Sequence, residues 1–187
     1  GFDPDSPGRV LTLLLEDEGL NYGSLPKGLI PFHKYPEGPR TPFREHLVES
    51  ALCDTPAGDT VNVHFTVSPE HERLFAGLLE EIRGDFELRF GKELNVTFST
   101  QRASTNTLAV DRQNRPFRTG EGSLVLRPGG HGALLENLNT LTQDMVFIRN
   151  IDNVVPEALL GPVIHWRKVL GGYLLRCRRQ VYKYIGE

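Results

Sequence analysis

Three short segments of this chain combine residue types that handle phosphates, bases or metal ions. The first, Leu25-Pro26-Lys27-Gly28, puts a lysine into a Pro-Gly turn. That ammonium is either a solvated turn charge or a partner for phosphate oxygens. The second, Arg127-Pro128-Gly129-Gly130-His131-Gly132-Ala133-Leu134, is a glycine-rich turn that runs into an apolar repeat. Its glycines either form a tight turn ahead of a helix, or let the backbone approach a flat base or a phosphate without Cβ clashes. The third, Asn150-Ile151-Asp152-Asn153, directly follows the apolar run Met145 to Ile148. Asp152 either closes a turn through local amides or offers a hard oxygen to Mg2+.

Segments of this kind need elements to hold them. Thr41 and Pro42 predict a helix start, with threonine as N-cap and proline in the first turn, and Phe43, Leu47, Val48, Ala51 and Leu52 share one face behind it. Val61, Val63, Phe65 and Val67 alternate with polar residues, as do Leu94, Val96 and Phe98, and both runs predict strands. Between them Ser68 and Pro69 repeat the cap-plus-proline signal, opening a helix that carries Leu74, Phe75, Leu78, Leu79 and Ile82. Val10 to Leu15 predicts a short helix after a ragged beginning, Gly1 to Gly8, and Leu134, Leu135, Leu138 and Leu141 predict another behind the glycine turn. Ser123 to Leu126 predicts a short strand, and Met145 to Ile148 a strand covered on both faces. The C-terminal helix is expected from about Val163 to Ile185, weakened or bent at Gly171 and Gly172. Alternating strands and helices argue for one layered α/β domain over 1–187 with a mostly parallel sheet. In such sheets ligands bind beyond the carboxyl ends of strands, where loops enter helices, and the three segments are expected to lie there.

Composition narrows the function classes. The 21 basic residues are balanced by 24 acidic ones, which gives no footprint for nucleic acid. The basic run Arg176 to Lys183 reads as the solvated face of the C-terminal helix. Cys53 and Cys177 are far apart among apolar neighbours, which predicts buried reduced thiols rather than a disulfide framework or a zinc site. The apolar run Leu11 to Leu15 is too short for a signal or a membrane span, so the expected compartment is the cytoplasm. His33, His46, His64, His71 and His165 lack metal-ligand spacing and read as surface or strand histidines. Acidic clusters such as Glu80-Glu81 read as solvated helix faces rather than a glycosidase pair, and a serine-nucleophile GxSxG motif is absent.

Taken together and in order, the segments resemble the nucleotide-sugar pyrophosphorylases. "LPKGLIPF" is similar to the Pro-Lys motif of that group, and "RPGGHGALLENL" to its Pro-x-Gly-x-Gly segment, whose backbone lies against the uracil of UTP. "VFIRNIDN" is similar to the strand whose following aspartate binds the catalytic metal, and "VTFSTQRAS" to the strand before the uracil-contacting glutamine. Within the group the likeness is to the UDP-N-acetylhexosamine pyrophosphorylases. Along nearly the whole chain, "GLNYGSLPKGL", "EHLVESAL", "VHFTVSPEH" and "FIRNIDNVVP" resemble a bacterial family labelled as a domain of unknown function.

The resemblance implies a three-layer, Rossmann-like nucleotide-diphospho-sugar transferase fold. It implies a sugar-1-phosphate nucleotidyltransferase: an oxygen of a sugar 1-phosphate attacks the α-phosphorus of a nucleoside triphosphate, UTP in the related enzymes, and pyrophosphate leaves. Lys27 would then face the phosphates and Asp152 would hold Mg2+ as cofactor, with Asn150 and Asn153 on sugar hydroxyls or supporting Asp152. Pro128, Gly129, Gly130 and Gly132 would pass the base, Gln101 would bond its edge, and His131 would stack on base or ribose or cap the helix. One departure stands out. The glycine-rich loop ending in arginine, which wraps the triphosphate in the pyrophosphorylases, has no counterpart upstream of Lys27, nor is there a Walker-type GxxxxGK. The chain therefore reads as a fragment lacking the first strand, and a non-catalytic nucleotide-sugar-binding or structural module on the same fold stands as the alternative.

Overall fold

The computed structural model describes residues 6–53 and 59–186, and at His131 the backbone only. The expected ragged beginning lies mostly outside the described residues. By its internal packing the chain divides into two compact units, the first comprising 1–63, 74–95 and 147–187, the second 64–73 and 96–146.

In the first unit, helix α1 (Pro7–Leu15) precedes a short hairpin, β1 (His33–Tyr35) with β2 (Gly38–Arg40), turned at Gly38 with φ 124°. Helix α2 (Pro42–Cys53) starts where the sequence predicts it. The Thr41 hydroxyl accepts a hydrogen bond from the Arg44 amide at 3.4 Å, and the Thr41 carbonyl accepts the first helical bond from Glu45. Phe43, Leu47, Val48 and Ala51 are buried as expected, whereas Leu52 is exposed. They meet α3 (Glu72–Phe90), whose Phe75, Leu79, Ile82 and Phe86 are buried, and the Phe43 and Phe75 rings pack edge to face at 5.4 Å. The predicted start of α3 falls three residues early. Ser68 directs its hydroxyl to the His71 ring at 2.8 Å, so Ser68 to His71 form a turn and the helix begins after it.

Strands β3 (Thr60–Val67) and β4 (Glu93–Thr100) pair through side chains at a constant offset: Asn62 with Asn95, His64 with Thr97, Thr66 with Ser99. A constant difference in residue number is the signature of parallel strands, and α3 is the crossover between them. Their apolar residues alternate as predicted, with Val61, Phe65, Val67 and Leu94 buried.

In the second unit, β5 (Thr107–Leu108) pairs antiparallel with β6 (Leu126–Arg127), extended by isolated bridges Val110–Pro116 and Arg118–Leu124. After it come a 3-10 turn, 131–134, and the single-turn helix α4 (Leu135–Leu138).

The architecture is mixed α/β, but the expected mostly parallel sheet is not what the described residues form. They form three two-stranded sheets, of which only β3–β4 is parallel. The predicted strand at 123–126 pairs locally with β5, because turns at Asn114 (φ 60°) and Gly122 (φ 86°) fold 107–127 back on itself and closing short loops is entropically cheap. The apolar run at 145–148 forms no strand, and Val146, Phe147 and Ile148 are exposed. An apolar run makes a strand only when a neighbouring edge takes up its backbone hydrogen bonds. In the first unit, α5 (Leu160–Ile185) runs unbroken through Gly171 and Gly172 and ends on Gly186 in the left-handed conformation. The expected weakening is absent because α5 packs against α2 along its first half, where Gly171 is buried. Both cysteines are free, but Cys177, expected to be buried, is exposed on α5.

Candidate functional site

Lys27 opens a 3-10 turn, 27–29, whose Gly28 is buried. A Cβ on Gly28 would lie 2.9 Å from two atoms of the Phe75 ring and 3.0 Å from Ile151 Cγ1, so only glycine lets this turn lie against them. That close approach carries Lys27 to the loop around Ile151. Lys27 Nζ donates to Asp152 Oδ2 at 2.6 Å, joining two residues 125 positions apart. Both remain accessible, and the hydrogen bond from Lys27 holds the Asp152 carboxyl below its ordinary value.

The loop carrying Asp152 is braced from α2 by buried ionisable groups, among them His46, which was expected to be a surface or strand histidine and is instead buried on the helix. His46, 8% exposed, donates from Nε2 to the carbonyls of Asn150 at 3.2 Å and Ile151 at 3.1 Å. Burial outweighs these bonds and pushes the His46 ring below its ordinary value. Arg149 donates to Glu49 at 3.0 Å and to the Asn153 carbonyl at 2.6 Å. Glu49, 2% exposed, also accepts from Arg167 of α5. Asn150, Asp152 and Asn153 are thereby presented at the surface on a turn closed by the Asn153 amide on the Asn150 carbonyl. A signal for this was present: α2 places Glu45, His46 and Glu49 within two turns among apolar residues, and a helix that buries carboxylates must find cations elsewhere.

Glu45 belongs to a second buried network in this unit. It accepts from His33 Nδ1 at 2.9 Å and Tyr35 Oη at 2.7 Å, and burial pushes the Tyr35 phenol upward. Arg40, 4% exposed, lies over the Tyr35 ring and donates to Glu157 at 2.6 Å and Glu37 at 2.5 Å. Burial raises Glu157, but Arg40 and Arg89 outweigh it and hold the carboxyl below its usual range. A cleft of about 230 Å3 lies here, lined by Arg40, Arg44, Asp85 and Arg89 among others. It holds none of the sequence-predicted residues, and its arginines 40 and 89 are already neutralised by Glu37 and Glu157.

The remaining predicted residues form a cluster in the second unit. Gln101 follows β4, and Gly129 lies beside it: a Cβ there would meet the Thr105 carbonyl at 2.8 Å, Ala133 Cβ at 2.9 Å and Gln101 Nε2 at 3.6 Å. Gly129 is thus sterically required, while Gly130 and Gly132 have open space around them. Pro128, Gly130 and Gly132 are exposed. Gln101 Nε2 is buried and finds no acceptor among the described residues. Asn137, which the sequence reading passed over, is buried and donates to Ser99 Oγ at 2.8 Å and the Thr100 carbonyl at 2.9 Å, fixing the strand end from which Gln101 leaves. The side chain of His131 lies outside the description.

Among the described residues no group of three or more His, Cys, Asp or Glu could hold a metal ion, and no helix is long and apolar enough to cross a membrane. A family model described as Domain of unknown function (DUF4301) matches residues 5–187. No curated protein and no solved structure matches the chain.

Proposed function

We infer that this chain, which belongs to the family described as Domain of unknown function (DUF4301), binds the phosphates of a nucleoside triphosphate or nucleotide sugar at Lys27 and Asp152, as a sugar-1-phosphate nucleotidyltransferase of Rossmann-like type would. The observation that carries the reading is the 2.6 Å approach of Lys27 to Asp152 on a loop braced by His46 and Arg149. Two residues from separate motifs, with opposite and accessible charges, meet where the resemblance assigns phosphate and metal handling. Gln101 and Gly129, assigned to the base, also come together, and the unpaired Gln101 amide is a donor suited to a base carbonyl.

Mg2+ fits this arrangement in one way. Asp152 supplies a single accessible carboxylate already paired with Lys27, which suits an ion arriving with the triphosphate and taking most ligands from phosphate and water. Bound there, it would neutralise charge on the phosphate oxygens. Lys27, with a flexible stem and three donors, would turn from Asp152 toward the negative charge that builds on the α-phosphate, and Asp152 is the residue that would hold the ion. The attacking sugar-phosphate oxygen forms the new bond to the α-phosphorus while the bond to the β-phosphate oxygen breaks. Positioning by the braced loop is the contribution this chain makes.

The test is calorimetric titration of UTP with Mg2+, followed by a pyrophosphate-release assay with sugar 1-phosphates. Lys27→Ala and Asp152→Ala are expected to weaken nucleotide binding, and Gly129→Val to weaken it independently. No binding of UTP, GTP or UDP-N-acetylglucosamine would refute the reading. The lone carboxylate favours one alternative, a nucleotide-sugar-binding module without catalysis. Binding without pyrophosphate release would identify it.

A further inference from the structure

Helix α5 touches its unit along one face only. Leu160 and Gly171 are buried there and Arg167 reaches Glu49, yet from Gly172 to Gly186 every residue is exposed. On a second face, Trp166, Leu170, Leu174, Cys177, Val181 and Tyr184 recur every three or four residues as one apolar stripe. Their exposure is high for such residues: Trp166 66%, Leu170 63%, Val181 56%, Tyr184 78%. Lys168, Arg176, Arg179 and Lys183 gather on a third face, on the side of the helix turned away from the stripe. No aspartate or glutamate occurs from Leu160 to Gly186, against six lysines and arginines.

This charge pattern selects the occupant. A second copy laid on the stripe would bring together two helices that each carry lysines and arginines and no carboxylate between Leu160 and Gly186, so neither supplies a charge partner for the other. An apolar stripe with Trp166 and Tyr184 along it, on a helix whose polar face is purely cationic, matches the interface of a bilayer with anionic headgroups, where apolar side chains enter the acyl boundary and cations meet phosphates. The helix does not qualify as a membrane span. We propose that α5 docks, lying in the plane of the surface, on a membrane containing anionic lipids. This rests on α5 alone and is independent of the phosphate site at Lys27 and Asp152.

Trp166 is the single tryptophan, so its emission reports directly on the stripe. The 187-residue chain would be titrated with vesicles of equimolar phosphatidylglycerol and phosphatidylcholine, and with phosphatidylcholine alone, reading emission wavelength and co-sedimentation. The expected result is a blue shift and pelleting with the anionic vesicles, much weaker with the neutral ones. Leu170→Gln should lower vesicle affinity roughly tenfold, and Arg179→Gln or Lys183→Gln roughly fivefold each. All three side chains are exposed, so circular-dichroism melts should stay unchanged. Absence of binding, or equal binding to both vesicles, overturns the proposal. So does a blue shift that grows with protein concentration without vesicles, which would make a second copy the occupant. Preferential binding to polyglutamate over anionic vesicles would also overturn it, in favour of an acidic protein partner.

Discussion

Replacing a glycine by alanine should have opposite signs at two positions of this chain, and the difference tests how Lys27 is placed. At Gly28 the added methyl would sit 2.9 Å from the Phe75 ring and 3.0 Å from Ile151, where ordinary contact begins at 3.4 Å. The ring cannot retreat, because Phe75 is 4% exposed and packs on Phe43, which is 0% exposed. Overpacking of this kind costs about 1–3 kcal/mol, offset by roughly 0.4–1 kcal/mol from the stiffer unfolded chain. A net loss of about 1–2 kcal/mol corresponds to a fall in Tm of roughly 2–8 °C for a chain of this size. At Gly77, inside α3, a Cβ would meet nothing within 4 Å. Alanine there should stabilise by roughly 0.5–1 kcal/mol through helix propensity. Thermal melts of both variants, with nucleotide titration of each, make the comparison. Gly28→Ala should lose nucleotide affinity as well as stability, and Gly77→Ala neither. A Gly28→Ala variant melting at or above the parent, with unchanged affinity, would refute the packing argument.

Three further outcomes follow from the buried groups and the surface pair. Glu49→Gln leaves Arg149 and Arg167 without their shared carboxylate, and should cost about 3 kcal/mol, a drop in Tm of roughly 6–12 °C by melting; a shift within error would mean the network is not held dry. Burial depresses His46, whose ring faces Glu49 and Arg149, so its contribution to stability is present above the ordinary value of 6.5 and is lost as pH falls below it toward the folded-state value. Tm measured between pH 5 and 8 should decline on the acid side, and less steeply in His46→Gln, with His64 contributing in both. Lys27→Ala should leave Tm essentially unchanged, because its pair with Asp152 is exposed, while UTP affinity falls. Loss of stability without loss of affinity would make the pair a structural tie.

The two networks of α2 explain why part of the site escaped the sequence. A buried carboxylate or histidine looks like any helix residue until its partner is known. Glu49 finds Arg149 and Arg167 at separations of 100 and 118 residues. His46 grips carbonyls 104 and 105 positions away. The stripe on α5 was legible as an amphipathic helix, but its exposure was not, since periodicity says which residues share a face and not whether anything covers it.

Some outcomes that depended on neighbours in the chain were legible in the sequence, although the Ser68–Pro69 cap signal produced a turn rather than the start of α3. Thr41 and Pro42 set the start of α2 through a hydroxyl and a fixed φ, alternation set β3 and β4, and motif order named Lys27, Asp152, Gln101 and the glycine turn as candidates. Tertiary structure alone decided the pairings between distant segments. The run at 145–148 found no strand partner, Leu126 paired with Leu108, and within the predicted segments Gly28 and Gly129 proved to be sterically required. The physical reason is one of range: caps and turns are completed by atoms a few residues away, whereas sheet edges, buried charges and steric gaps exist only once remote parts of the chain have come together.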